Sequence, residues 1–306
     1  MAKLMSKKTR EIVQTTAFLV LLALFIVFYI VYPLITMPDL TARADRDRFE
    51  EAEFTLENDP SFFIDLGLSP DTFSILTNDN LSLAALYFHP DPAIYDSVRG
   101  TVILLNDASS DRNSLAAYLT PLMDSGLAVV LYDQRATGQS NGIYHFGGDY
   151  EGEDLAEVII RLNFIERLYH PVIVVGFGLG GDALLNAERE EVRIDYGIAV
   201  NPYLTTTNWI ETLRKEHGIL GIPLSNMVYF WWYQKLSGYP YPRSGPDDIP
   251  PLETGTLLLL GDDRLESDEA SALVEISSPE ILTVAPVPEN PEEQVRLIIN
   301  KIYSLL

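Results

Sequence analysis

The sequence predicts an α/β fold: a doubly wound, mostly parallel sheet with a helical insertion and an apolar helix at the N-terminus. Three observations predict it. Short continuous apolar runs, of the kind buried on both faces of a parallel sheet, recur from Asp71 onward and alternate with stretches of helical spacing. One of these runs, Val172–Val175, passes directly into the glycine-rich turn Gly176–Gly181 and then into the helical stretch Asp182–Glu188. Before all of this, Ala17–Ile35 carries no charge at all.

That uncharged run is long enough, as a helix, to cross a bilayer's hydrocarbon core, and residues 17–36 are read as a transmembrane helix. Lys3, Lys7, Lys8 and Arg10 precede it against the single acid Glu11, whereas acids outnumber bases after it. The positive-inside bias then places residues 1–16 in the cytoplasm and the main domain outside it. Tyr29 and Tyr32 sit where interfacial aromatics are expected. A cleaved signal peptide is the competing reading, but Pro33–Pro38 offers no small-residue cleavage site. Residues 37–65 read as a polar linker and 66–306 as the α/β domain.

Within that domain, Thr72–Thr77 and Leu81–Tyr87 flank Asn78-Asp79-Asn80, a hairpin signal. Thr101–Leu105 and Ala128–Tyr132 are buried-strand runs, and Ser114–Met123 between them has helical spacing and ends at Gly126. A longer helix is expected over Tyr150–Leu168. Strands follow at Tyr196–Val200, Thr256–Leu260 and Ile281–Val284, with a last amphipathic helix over Pro291–Leu306. Residues 203–250 break the alternation and hold Trp209, Met227, Tyr229, Phe230, Trp231, Trp232, Tyr233, Tyr239 and Tyr241. This is read as a cap over a ligand cleft, most of its aromatics packing the cap itself.

The 306 residues carry a net charge of −23, and the four bases and one acid of the first eleven leave −26 on the rest. Such a balance argues against nucleic acid as a partner. There is no cysteine, hence no disulfide, thiol nucleophile or zinc-thiolate site. No H-E-x-x-H or comparable ligand spacing occurs, so neither a metal nor a cofactor is expected.

Gly176-Phe177-Gly178-Leu179-Gly180-Gly181 fits two motifs. As G-x-G-x-x-G it would need an acid at the end of the next strand. Asp195 instead precedes that strand, and at least two strands come before the glycines. As the nucleophile elbow G-x-S-x-G, strand and helix flank it correctly, but Gly178 stands at the serine position.

On these residues the chain resembles the α/β-hydrolase superfamily, in particular its membrane-anchored, serine-aminopeptidase-like (S33, Bem46-like) members. Thr77–Leu83 is similar to the opening hairpin T-x-D-G-x-x-L of that family, with Asn80 in place of the turn glycine, and Asp133–Ser140 to its D-x-R-G-x-G-x-S loop with Ala136 in place of one glycine. Gly148, Glu151 and Asp154 match the start of the following helix, and Leu257–Asp263 the strand before the acid loop. The resemblance implies a serine, an acid and a histidine in that chain order. Gly178 takes the first place, in a frame kept by Gly176 and Gly180. Arg264 takes the acid's usual place, three residues after Gly261, with Asp262 and Asp263 beside it. His89, His145, His170 and His217 all precede Asp263, so the loop around Val287–Glu289 has no histidine. Asn106-Asp107 replaces the His-Gly that opens the family's oxyanion loop, and a carboxylate there repels a developing oxyanion.

These departures point to a hydrolase fold without the hydrolase triad: a membrane-anchored, non-catalytic binding domain for a partner protein or a small apolar ligand. Glycine at the elbow also relieves the backbone strain that a nucleophile bears there. The alternative is a hydrolase of esters, thioesters or peptides with a rearranged, serine-independent site, in which His145, Asp107, Asp262 and Asp263 are the available groups. A third reading is a membrane scaffold with no cleft ligand. His89, His170 and His217 read as turn and helix-end residues.

Overall fold

The computed structural model describes residues 7–27, 31–32, 41–42, 58–187, 190, 192–216, 231, 234–235, 252–262 and 264–306. Most of the linker, all of the cap's aromatics except Tyr203, Trp209 and Trp231, and His217 and Asp263 lie outside these residues, as do 28–30 and 33–36 of the apolar segment.

The chain forms two compact units. The first comprises Met1–Thr41 and Glu211–Pro242, so the middle of the 203–250 insertion groups with the N-terminal segment. Its described helix, α1, spans Lys7–Ile26. Phe18–Leu22 and Leu24–Ile26 are all exposed, apolar on every side of the helix. Among the described residues, no helix is long and apolar enough to cross a membrane. Within α1 the uncharged apolar run covers Ala17–Ile26, and residues 28–30 and 33–36 of the expected span lie outside the described residues.

The second unit comprises Ala42–Ile210 and Arg243–Leu306. Its elements in chain order are α2 (Ser61–Asp65), β1 (Asp71–Leu76), β2 (Ser82–Phe88), β3 (Thr101–Leu105), a 3₁₀ helix (Arg112–Tyr118), α3 (Leu119–Met123), β4 (Ala128–Tyr132) and α4 (Asp149–Phe164). There follow β5 (Val172–Phe177), α5 (Leu179–Ala187), β6 (Tyr196–Val200), α6 (Thr206–Glu216, which runs on into the first unit), β7 (Gly255–Leu260), α7 (Asp268–Ile276), β8 (Leu282–Pro286) and α8 (Pro291–Leu305). One eight-stranded sheet runs in the order β1-β2-β4-β3-β5-β6-β7-β8. Pairings β1·β2 and β2·β4 are antiparallel, and all others are parallel. The expected doubly wound sheet is thus present.

Strands β3 and β4 are buried at every position, because both sheet faces are covered. One layer packs Leu155, Val158, Ile159 and Leu162 of α4 with Ala183 and Leu184 of α5. The other packs Leu119 and Leu122 of α3 with Ile298, Ile299 and Ile302 of α8, and with Phe63 of α2. Packing therefore begins before residue 66. Asn58 extends it further: its Nδ2 donates to the carbonyls of Phe73 (2.7 Å) and Ala85 (2.9 Å) on adjacent strands, while its Oδ1 accepts from Arg112 Nη1 (2.8 Å).

Three elements differ from their sequence expectation. Asp111 accepts from the Asn113 backbone N–H and starts the helical stretch two residues early, as a 3₁₀ turn. The long helix stops at Phe164, where Glu166 takes φ +58°. Helix α7 has no counterpart among the expected elements, although Ser267 caps it by accepting from Ala270 N–H and Asp268 and Glu269 fill its first turn.

Candidate functional site

The elbow is built as the sequence frame requires. Gly178 alone separates β5 from α5 and takes φ +51°. Its N–H donates to Val200 O (2.9 Å), tying the turn to β6. Gly176 and Gly180 are obligatory for packing. A Cβ on Gly176 would lie 2.6 Å from Gly181 N. One on Gly180 would lie 2.7 Å from Leu105 Cβ and 2.8 Å from Asn106 O. The close approach of strand, turn and following helix that the motif needs is intact.

The nucleophile's space is not empty. A Cβ on Gly178 would overlap the Asp107 carboxylate, lying 2.5 Å from its Cγ and 3.0 Å from its Cβ. Asp107 Oδ1 accepts the Leu179 backbone N–H at 2.8 Å, and Oδ2 accepts from Ser109 Oγ at 2.7 Å. Leu179 N–H is one of the orphan donors at the start of α5, where the helix dipole favours a negative charge. It is also the residue after the nucleophile position, whose N–H completes an oxyanion hole in an elbow. Here an internal carboxylate has taken that donor. Asn106 behind it is fully buried, and its Nδ2 donates to Asp107 O (2.9 Å) and Ser110 O (2.7 Å). The loop is thereby held against the elbow.

The other expected site residues are not gathered at this point. Asp262 follows β7 and is exposed, and Asp263 lies outside the described residues. Arg264 reaches across to the chain after β6: its Nη1 donates to Pro202 O (3.0 Å) and Asn201 O (3.2 Å), and its guanidinium lies over the Tyr203 ring at 5.4 Å. It caps carbonyls where the fold's acid would orient a histidine. His145 is buried, with Nδ1 3.6 Å from Glu151 Oε1, beyond hydrogen-bond reach. Among the described residues, neither His145 nor Asp262 hydrogen-bonds to the elbow, and no cluster of three potential ligands could hold a metal.

A second polar assembly adjoins the loop after β4. Arg135 is buried and binds Asp154 bidentately (Nε and Nη2, both 2.7 Å) and Asp79 (Nη1, 3.0 Å). Burial pushes the Asp154 carboxyl up to about 6, even though Arg135 opposes the rise. Burial also raises Glu151, but His145, Arg135 and the Phe146 N–H outweigh it and hold its carboxyl below the ordinary value. Asp133 is buried with Arg112. It accepts from the N–H groups of Arg112 (2.9 Å) and Gln139 (3.0 Å), and burial pushes its carboxyl up despite the Arg112 charge. A cleft of about 370 Å³ opens beside Arg135, lined by Asp79, Leu81, Tyr144 and Phe146 among others. Arg135 is already paired on both sides, so its role there is structural. Sequence reasoning singled out Glu151 and Asp154 only as pattern matches; their pairing needed the fold.

No protein-family model matches the chain, and no curated protein does. Solved structures do resemble it. The esterase Pf2001 of Pyrococcus furiosus superposes with a TM-score of 0.56 at 20% identity, over 79% of this chain and 94% of that one. The α/β hydrolase GrgF of Penicillium sp. sh18 gives 0.54 at 16% identity, over 78% and 97%. XC6422 of Xanthomonas campestris, an α/β serine hydrolase without a lid, gives 0.50 at 15%, over 77% and 93%. The chain has the α/β-hydrolase fold. Identity this low carries the fold alone, and fold does not carry chemistry. Within the α/β-hydrolase fold, this chain keeps the elbow's glycine frame and fills the elbow with Asp107.

Proposed function

We propose that this chain is a membrane-anchored, non-catalytic α/β-hydrolase-like protein whose domain binds a partner protein or a small apolar ligand rather than turning one over. The observation that carries this reading is Asp107. Its carboxylate occupies the place of a nucleophile's side chain and accepts the N–H that would serve the oxyanion. A substrate carbonyl would have to displace a charged, doubly bonded group to reach that donor, and a fixed negative charge opposes an oxyanion. Arg264 stands in the acid's place and no histidine follows β8 in the sequence, so the elbow's usual base and its orienting acid are both replaced. The anchor is supported by the uncharged run Ala17–Ile35 and the all-round exposed apolar surface of α1, which needs a cover such as lipid. Orientation with the main domain outside the cytoplasm rests on the basic N-terminus.

The test is turnover by the purified full chain against ester, thioester and aminopeptidase substrates, alongside Gly178→Ser, Asp107→Gly/Gly178→Ser and His145→Ala variants. No turnover by the folded parent is expected. Gly178→Ser alone should also be inert, since the new side chain meets Asp107. Parent turnover that persists through purification and drops in His145→Ala would overturn the reading in favour of a rearranged hydrolytic site.

A further inference from the structure

The two edges of the sheet are treated differently. β8 ends in Pro286, which has no N–H to offer a neighbouring strand. β1 is less protected: no proline, lysine or glycine occurs in Asp71–Leu76, its one charge, Asp71, stands at its end, and its pairing with β2 is continuous, without a bulge. Thr77 N–H donates to Leu81 O, so Thr77 and Leu81 form a hydrogen-bonded pair of the ladder. Counting back in twos, Ile75, Phe73 and Asp71 also turn their backbone groups toward β2. Thr72, Ser74 and Leu76 therefore direct theirs outward, and all three are exposed. Beside this edge lies a groove of about 450 Å³, lined by Ser74, Ile75 and Leu76 of β1 and by Glu157, Ile160, Arg161 and Phe164 of α4. Leu76, Ile160 and Phe164 are 65%, 51% and 77% exposed, an apolar surface that no other element covers among the described residues, with the Arg161 guanidinium 5.7 Å from the centre of the Phe164 ring.

We propose that a second copy of this chain covers this edge, pairing β1 antiparallel with β1 across a twofold axis at Ser74. A twofold interface must be self-complementary, and this one is on two independent counts. In the backbone, the register that sets Ser74 opposite Ser74 sets Thr72 opposite Leu76, so every outward-directed residue meets another. Asp71 then falls opposite Thr77 rather than its own copy. In charge, Glu157 and Arg161 lie one helical turn apart on the groove's wall. The axis keeps both α4 helices on one face and runs them antiparallel, bringing Glu157 of each copy toward Arg161 of the other. Ile160 and Phe164 close the apolar part between them. The result is one sheet continuous through both copies, formed whether or not the elbow is catalytic.

Sedimentation equilibrium of the detergent-solubilised full chain tests this. A dimer is expected from the parent. Ser74→Lys places two lysines directly opposite each other, and like charges so placed should raise the dissociation constant about tenfold or more. Arg161→Glu should also weaken the dimer, and Glu157→Arg/Arg161→Glu should restore it. That restoration shows that any loss in the single variant is not misfolding. A monomeric parent would overturn the proposal. So would a dimer indifferent to Ser74→Lys and to both charge changes, since another surface, α1 included, would then hold it.

Discussion

Two glycines on the carboxyl edge of this sheet each back onto an aspartate, and only one of them stands at a catalytic position of the fold. Gly138, after β4, takes φ +44°, and a Cβ there would overlap the Asp133 carboxylate. Gly178, after β5, stands in the same relation to Asp107. The pairs differ in what else holds the acid. Asp133 is 1% exposed, bonded to two backbone N–H groups and 3.5 Å from Arg112 Nε, itself buried. Asp107 is half-buried and, among the described residues, its carboxylate holds only Leu179 N–H and Ser109 Oγ. One arrangement is a locked internal joint. The other is the same device with fewer bonds, at the place where the elbow motif carries its nucleophile, and it gives way more readily.

The contrast can be broken most directly at Gly138. Gly138→Ala should add about 1–3 kcal/mol of backbone strain. It also displaces Asp133 from Arg112, a broken buried pair of about 3–5 kcal/mol. Urea unfolding should show a larger loss for Gly138→Ala than for Gly178→Ala. Asp133→Gly should not recover it, because Arg112 then loses its buried carboxylate partner.

Gly178→Ala should cost less, about the 1–3 kcal/mol of strain alone, because Asp107 can swing toward solvent. Adding Asp107→Gly removes the overlap and should return part of the loss. Equal urea midpoints for Gly178→Ala and Gly138→Ala would break the comparison, and failure of the second change to help would show that Asp107 does not fill that space.

The smallest effect is a pH dependence at the start of α4. Glu153 is pushed up to about 7, first by burial and then by Glu190. An acid whose folded-state pKa is raised keeps its proton longer in the folded state. Its stabilising share is therefore complete below its ordinary value of 4.5 and lost as the pH rises to about 7. Glu153→Gln should match the parent at low pH, gain in urea midpoint across that window, and stay ahead by a constant margin above it. Solvent screening of a half-buried group keeps the gain small. A margin that does not change with pH would rule this carboxyl out.

Much of the architecture was legible because single residues dictate it locally. Thr101–Leu105, Ala128–Tyr132 and Tyr196–Val200 are strands to the residue, since a run of apolar side chains between breakers has no stable place but a sheet covered on both faces. The elbow frame was legible because only glycine fits at 176 and 180. What stayed hidden depends on distant pieces meeting. The sequence marked Asp107 as hostile to an oxyanion, but could not show that its carboxylate enters the Gly178 space, since the two are far apart in the chain. His145 reads as a residue near the strand ends, whereas its burial against Glu151 depends on how the loop folds onto α4. Helix α7 did carry its own signal in Ser267-Asp268-Glu269, and only the short run of apolar residues behind it masked that start.

Asn58 carries a mechanical consequence. Its one carboxamide joins two neighbouring strands and the buried Arg112. Tension applied to the chain just ahead of β1 is therefore shared between β1 and β2 before it can reach either alone. Stretched from its N-terminus, the domain should resist peeling of its first strand, and Asn58→Ala should lower the force at which β1 detaches in an optical-trap measurement.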